Sequence, residues 1–387
     1  MNILLWREFE EMAFWENLFS LEDNQHITLH IAISILFTFV IMVGLVVVLA
    51  HYWPLGPDYY FVFRPITKLF LQADTRLYDQ NSLGFYNPPW AIWLFIPTVF
   101  LPLNYGQALL LTASLAGLMF AVWVVDRHNK LFWLVKGLAV ANLHTFDLLI
   151  RGNVDGFVVL GVGLGWLGIE KRKPWLLGIG IWFLSLKPMN VILVILVFIK
   201  LVRKWSLNEK IQTALPLTFS LGISFFILGF DWPVRYVEMV GQNPPLMYLQ
   251  TSFWRMLAFL GIERIWALVL FGVVVIGFGI LVWWLPQVDQ RILALAIAMN
   301  LVFSPYTLGS HYVLLAPVFV ILGKEHKRFA LLWFLTLTPL LRLWWGFAWA
   351  WVDIVYPTAL MLAAGYIVVK QYTFEKDVIE RWALFQK

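Results

Sequence analysis

Twelve long apolar stretches set the limits on what this chain can fold into: 29–50, 105–125, 131–150, 154–169, 174–186, 189–202, 211–230, 265–285, 291–303, 311–322, 329–345 and 354–369. An α-helix needs about 20 such residues to cross the hydrocarbon core of a bilayer. The sequence therefore predicts an all-α polytopic membrane protein. Its 61% hydrophobic and 13% charged side chains agree, since soluble domains carry about 45–50% and about 25%. Disorder and collagen are excluded, and the 22 Trp, 32 Phe and 13 Tyr suit membrane interfaces. Zero Cys excludes disulfides, thiolate metal sites and cysteine nucleophiles. A net charge of +5 on so few charged residues reflects basic loops on one side of a membrane, with no nucleic-acid surface.

Residues 1–28 hold Glu8, Glu10, Glu11, Glu16, Glu22 and Asp23 but a single Arg, the reverse of a signal peptide's basic start. Leu5, Phe9, Met12 and Phe19 recur at roughly helical spacing, which reads as an amphipathic interfacial segment or a plain lead-in. A transmembrane domain is expected over 29–370, with external loops at 51–88 and 231–262, and a cytoplasmic tail over 371–387. Basic clusters at Arg127–Lys130, Lys171–Lys173, Arg203–Lys210 and Lys324–Arg328 fix the orientation. They share one side if 89–103, which carries Pro97 and Pro102, is re-entrant or juxtamembrane. About twelve spans with both termini in the cytoplasm follow. Several runs are short and bounded by Pro or Gly, as in broken helices that line a cavity. Gly161 and Gly165 form a small-xxx-small pair suited to helix packing.

The opposite, non-cytoplasmic side collects the ionisable residues. Asp58, Arg64, Lys68, Arg151, Asp155, Lys187, Asp231, Arg235, Arg255, His311, Arg342 and Asp353 all fall there. Such groups beside hydrocarbon mark functional sites by default. The excess of cations suits an anionic ligand, with phosphate the natural guess. Asp58, in Gly56–Pro57–Asp58–Tyr59–Tyr60, is placed to act as a general base, or alternatively to cap the next helix. Arg64 and Lys68 share a helix face and serve either substrate or lipid headgroups. Lys187, before the helix-breaking Pro188, faces a cavity or snorkels to the interface. His311, behind Ser304–Pro305–Tyr306, could donate to a phosphate oxygen or be an interfacial His satisfied locally. There is no GxxxxGK[ST], HExxH or DxD pattern, so nucleotide-driven chemistry is not expected.

Gly56–Pro57–Asp58–Tyr59–Tyr60, Leu77–Tyr78–Asp79, Phe85–Tyr86–Asn87–Pro88–Pro89, Pro97 and Leu101–Pro102 together resemble the first third of the GT-C polyprenyl-phosphate-sugar glycosyltransferases. The nearest branch is the mycobacterial-type α-1,2-mannosyltransferases that act on phosphatidylinositol mannosides. Leu186–Lys187–Pro188 and Ser304–Pro305 with His311 resemble later motifs of that branch. Where the family carries Gly-Gln-x-Asn, this chain has Gly152–Asn153–Val154–Asp155, so a carboxylate replaces an amide. The resemblance implies a GT-C-like bundle with its site at the external face of the cell membrane. It implies transfer of a sugar, mannose favoured, from a lipid-linked sugar-phosphate donor to a glycolipid or glycan acceptor, with inversion. Asp58 would be the base, with Lys187, His311, Arg64, Arg151, Asn153 and Asp155 binding substrate. Fixed cations would stabilise the leaving phosphate, with no metal or cofactor required. An arabinofuranosyltransferase of the same superfamily is the sister reading. A flippase or exporter of an anionic lipid or solute is the reading from another class. The one-sided polar residues and the lack of an internal repeat favour chemistry over transport.

Overall fold

The computed structural model describes residues 25–72, 77–78, 84–127, 133–242, 251–341 and 352–385. The first 24 residues, Asp74, Asp79 and Arg342 lie outside them, so most of the expected amphipathic segment does too. The chain forms two compact units, which meet in sequence at Trp53–Pro54. Among the described residues of the first unit there is one helix, α1 (Gln25–Tyr52).

The second unit opens with a π-helical turn, Asp58–Phe63, which runs into α2 (Arg64–Leu71). There follow α3 (Ile92–Val99), α4 (Leu103–Val125), α5 (Trp133–Val140), α6 (Leu143–Arg151), α7 (Asp155–Glu170), α8 (Pro174–Leu184) and α9 (Ile192–Leu201). The remainder is α10 (Leu207–Leu228), α11 (Trp232–Gln242), α12 (Phe253–Phe259), α13 (Arg264–Trp284), α14 (Gln290–Phe303), α15 (Leu315–Glu325) and α16 (Val355–Phe385). No strand occurs among the described residues. The all-α membrane architecture expected from the apolar runs is the one found.

Five helical segments are long and apolar enough to cross a bilayer unaided: Ile33–Tyr52, Leu103–Val125, Leu207–Leu228, Ile265–Trp284 and Val352–Gln371. Counting the pair α5 and α6, bent by 42° at the Asn142 break, gives six. Several of the other runs fold as shorter helices within the bundle. The cause is local: Pro174 starts α8, Pro188 divides α8 from α9, and Pro305 follows α14. The segment 89–103 becomes a 3-10 turn at Pro89–Ala91 followed by the eight residues of α3.

Small residues let the central helices approach closely. A Cβ on Gly156 would stand 2.3 Å from the Ser114 carbonyl of α4, and one on Gly161 would stand 2.7 Å from the Gly180 carbonyl of α8. A Cβ on Gly165 would strike the Phe198 ring of α9. The Gly161–Gly165 pair thus does pack helices, as its spacing suggests. Because α7 is enclosed by α4, α8 and α9, its N-terminal residue Asp155 lies fully buried in the bundle.

Candidate active site

Two glycines bring distant pieces of sequence together at the site. Gly152 ends α6 in the left-handed region (φ 70°), a conformation in which a side chain is strained. A Cβ on Gly56 would lie 2.5 Å from the Arg151 carbonyl carbon and 2.5 Å from the Gly152 nitrogen. The strip Gly56–Pro57–Asp58 therefore runs directly over the Arg151–Gly152 turn. Gln107 fixes that strip from α4, accepting from the Gly56 N–H at 2.8 Å and donating to the Pro54 carbonyl at 2.8 Å.

That approach sets Asp58 beside Asn153. The Asn153 Nδ2 donates to Asp58 Oδ2 at 2.7 Å, and Lys187 Nζ donates to Asn153 Oδ1 at 3.0 Å. Lys187 in turn forms an ion pair with the fully buried Asp155, 2.7 Å from its Oδ1. His311 Nε2 lies 2.9 Å from Lys187 Nζ and 3.9 Å from Asp155 Oδ2. On the other side of the ring, Nδ1 accepts from the Leu308 N–H at 3.2 Å, and the Asn190 side-chain amide lies 2.7 Å from it. Ser304 Oγ donates to Asn190 Oδ1 at 3.1 Å. Asn87 holds the Lys187 turn by donating to the Leu186 carbonyl at 3.1 Å.

Of these groups, Asp58, Asn153, Lys187, Asn190 and Asn87 border a cavity of about 350 Å³. Asp58, Arg151, Asn153 and Lys187 form its polar end, while Val62, Met189, Val240, Leu268 and Leu308 form an apolar wall. Arg151 is oriented by Asp147 one turn earlier, at 3.0 Å. Burial raises the Asp58 carboxyl above its ordinary value, with Arg151, Lys187 and the Asn153 amide pulling it back only in part. Burial and the nearby Asp58 and Asp155 carboxylates push the Tyr306 hydroxyl above the usual phenol range, so it remains a donor at neutral pH. Tyr306 lines the cavity, with its ring 6.4 Å from Tyr86 and edge-on to His311 at 5.4 Å.

Among the residues expected to act together, Asp58, Arg151, Asn153, Asp155, Lys187 and His311 are brought together. His311 is fully buried behind Lys187 and does not line the cavity. Arg64 departs from expectation. Its guanidinium donates to the carbonyls of Thr98 (3.1 Å), Val99 (3.3 Å) and Leu101 (2.7 Å) and to the Tyr59 hydroxyl (3.2 Å). It caps the C-terminal end of α3, where unpaired carbonyls and the helix dipole favour a cation, and it does not line the cavity. Asp231 and Arg235 pair with each other at 3.1 Å. Asn190, Asn300 and Tyr306 were not among the expected site residues. Asn300 joins α14 to the Lys187 turn, donating to the Met189 carbonyl at 2.7 Å and accepting from the Leu193 N–H at 3.0 Å.

Residues 85–305 match the model of glycosyltransferase family 87, more than half of the chain. The chain belongs to this family. No curated protein and no solved structure matches the chain. Family membership makes it a membrane glycosyltransferase of the GT-C superfamily, with a sugar donor and an acceptor as substrates. The matched stretch contains Arg151, Asn153, Asp155 and Lys187, while Asp58, Arg64 and His311 lie outside it.

Proposed function

We propose that this glycosyltransferase moves a sugar from a polyprenyl-phosphate donor to a lipid- or glycan-linked acceptor at the external face of the cell membrane, with Asp58 as the base. The observation that carries this reading is the composition of one cavity. A carboxylate, two cations and apolar side chains from Val62, Met189, Val240, Leu268 and Leu308 border the same space. A nucleotide sugar has no long apolar part to lay against Val240 and Leu268, whereas a lipid-linked sugar phosphate has both an anion and a hydrocarbon chain.

In this reading Arg151 and Lys187 hold the donor phosphate. Asn153 occupies Oδ2 of Asp58, which leaves Oδ1, without a partner among the described residues, to accept the proton of the acceptor hydroxyl. The acceptor oxygen attacks the anomeric carbon from the side opposite the phosphate. The bond from that carbon to the phosphate oxygen breaks with its electrons on the leaving group, and the anomeric centre inverts. Fixed cations stabilise the charge that develops there. Asp155 acts through Lys187, holding its ammonium at the cavity edge by their 2.7 Å ion pair, with His311 packed behind both.

Mannose is the favoured sugar, on the likeness of the Leu186–Lys187–Pro188 and Ser304–Pro305 motifs to the mannosyltransferase branch. The test is transfer by purified full-length protein in detergent, using radiolabelled polyprenyl-phosphate mannose, polyprenyl-phosphate arabinofuranose and a nucleotide sugar as separate donors. Product from the mannose donor alone is expected. Product from the nucleotide sugar alone would overturn the lipid-linked donor, and product from the arabinose donor alone would reassign the sugar.

A further inference from the structure

The site uses one end of the bundle; an uncompensated cluster of cations sits towards the other. Met189 and Leu268 border the cavity. Lys200 lies at the far end of α9, and Trp283 is fifteen residues along α13 from Leu268, about 22 Å at the helical rise. There the Arg203 guanidinium stacks over the Trp283 ring, 4.8 Å from its centroid, and Lys200 Nζ lies 5.5 Å from the same centroid. Lys200 also donates to the Trp283 carbonyl at 2.6 Å, and Lys210 donates to the Arg203 carbonyl at 3.0 Å. One indole thus holds two cations side by side, with Lys204 and Lys210 exposed next to them.

No carboxylate pairs with Lys200, Arg203, Lys204 or Lys210 among the described residues. The neighbouring acid, Glu209, is taken by Arg172 at 2.7 Å and by the Ser206 N–H at 2.7 Å. A second group of cations, on α5, α14 and α15, is compensated from within. Lys136 pairs with Asp126 at 2.7 Å, Arg291 with Glu325 at 2.8 Å, and Lys324 donates to the Val125 carbonyl and to Gln290, both at 2.9 Å. The two groups are therefore not equivalent. The Trp283 group presents ordered cations with no protein anion to satisfy them.

We infer that Lys200, Arg203 and Trp283 form a binding site for the phosphate of an anionic glycerophospholipid in the adjacent leaflet. Trp283 and Trp284 are 50% and 82% exposed at the end of a membrane-length helix, the level at which indoles meet headgroups. Ile199 and Leu207, 52% and 74% exposed, supply apolar surface for acyl chains on either side of the cations. Guanidinium and ammonium groups at that depth favour a phosphodiester over a zwitterionic headgroup, whose own ammonium they would repel.

Native mass spectrometry of the full chain, released from detergent and titrated with phosphatidylglycerol, tests this. Phosphatidylcholine and inorganic phosphate serve as the other two arms. Wild type should hold one phosphatidylglycerol more tightly than phosphatidylcholine, and the double variant Lys200→Gln/Arg203→Gln should bind it about tenfold more weakly. The charge-matched variant Lys327→Gln/Arg328→Gln, in the other basic loop, should bind as wild type does. Equal binding of the two lipids, or an equal loss in both variants, would reduce the patch to non-specific attraction and overturn the site. Displacement of the lipid by millimolar inorganic phosphate would make it a site for free phosphate instead.

Discussion

Asp58 owes the orientation of its carboxylate to the Asn153 amide and its basicity to its surroundings. The Asn153 amide holds Oδ2, and burial keeps the carboxyl above its ordinary value despite Arg151 and Lys187. A base works only when ionised, so raising its pKa moves the acid limb of the pH–rate profile upward. The acid limb of kcat/KM should therefore lie above the ordinary Asp value of about 3.9. The variant Asp58→Asn keeps the shape and should lose about 10²–10⁴-fold in kcat. It should not lower Tm, because a carboxyl whose folded-state pKa is raised gains nothing in stability from its charge at neutral pH. Near wild-type turnover by folded Asp58→Asn protein would remove Asp58 from the mechanism. Much of this cluster was legible in the sequence. Arg151, Asn153 and Lys187 each sit beside a Gly or Pro where an apolar run ends, Asp58 follows Pro57 in the loop after the first run, and charges at such breaks face cavities. Arg64 carries the same signature but differs in its partners, which are carbonyls 34 to 37 residues further on and have no sequence signal. Asn190 and Asn300 were hidden for a related reason: an amide within an apolar run shows its purpose only once α9 and α14 are side by side.

At the scale of elements, the site rests on how closely α7 approaches α8. A Cβ on Gly180 would meet the Gly165 nitrogen at 2.5 Å and the Gly161 carbonyl at 2.9 Å, all of it backbone that cannot swing aside. Gly180→Ala should therefore force the two helices apart and cost roughly 1–3 kcal/mol, the range for overpacked interiors. Since Asp155 begins α7 and Lys187 follows α8, the same change should also loosen their 2.7 Å ion pair and lower activity. Gly272, in α13, is the control: nothing lies within 4 Å of its Cβ direction, so Gly272→Ala should be neutral or mildly stabilising through helix propensity. Thermal unfolding in detergent followed by fluorescence compares the two, and equal Tm values would refute the close-packing account. The helices themselves follow from apolar runs and Pro positions, so their presence could be foreseen. Their role as spans could not, because run length in the sequence does not reveal that α5 and α6 bend by 42° or that α7 is enclosed on several sides.

For the molecule as a whole, the question is which end faces which compartment. The helix α7 runs from Asp155 in the site to Glu170, and the basic loop Lys171–Lys173 follows at once. Sixteen residues of helix separate the two by about 24 Å, so the loop and the cavity lie at opposite ends of that helix. The helix α11 borders the cavity through Tyr236 and Val240, and its Glu238 is exposed. If the basic loops are retained inside, as Lys and Arg near membrane spans generally are, then Lys171 is cytoplasmic and Glu238 external. The chain has no Cys, so single cysteines report without background. A membrane-impermeant maleimide added to intact cells should label Glu238→Cys at once, and should label Lys171→Cys only after permeabilisation. Both substitutions replace exposed side chains outside the candidate site, so activity in membranes should be retained and serves to verify the fold. Labelling of Lys171→Cys from outside, with Glu238→Cys protected, would invert the topology and place the cavity, and with it the donor headgroup, on the cytoplasmic side.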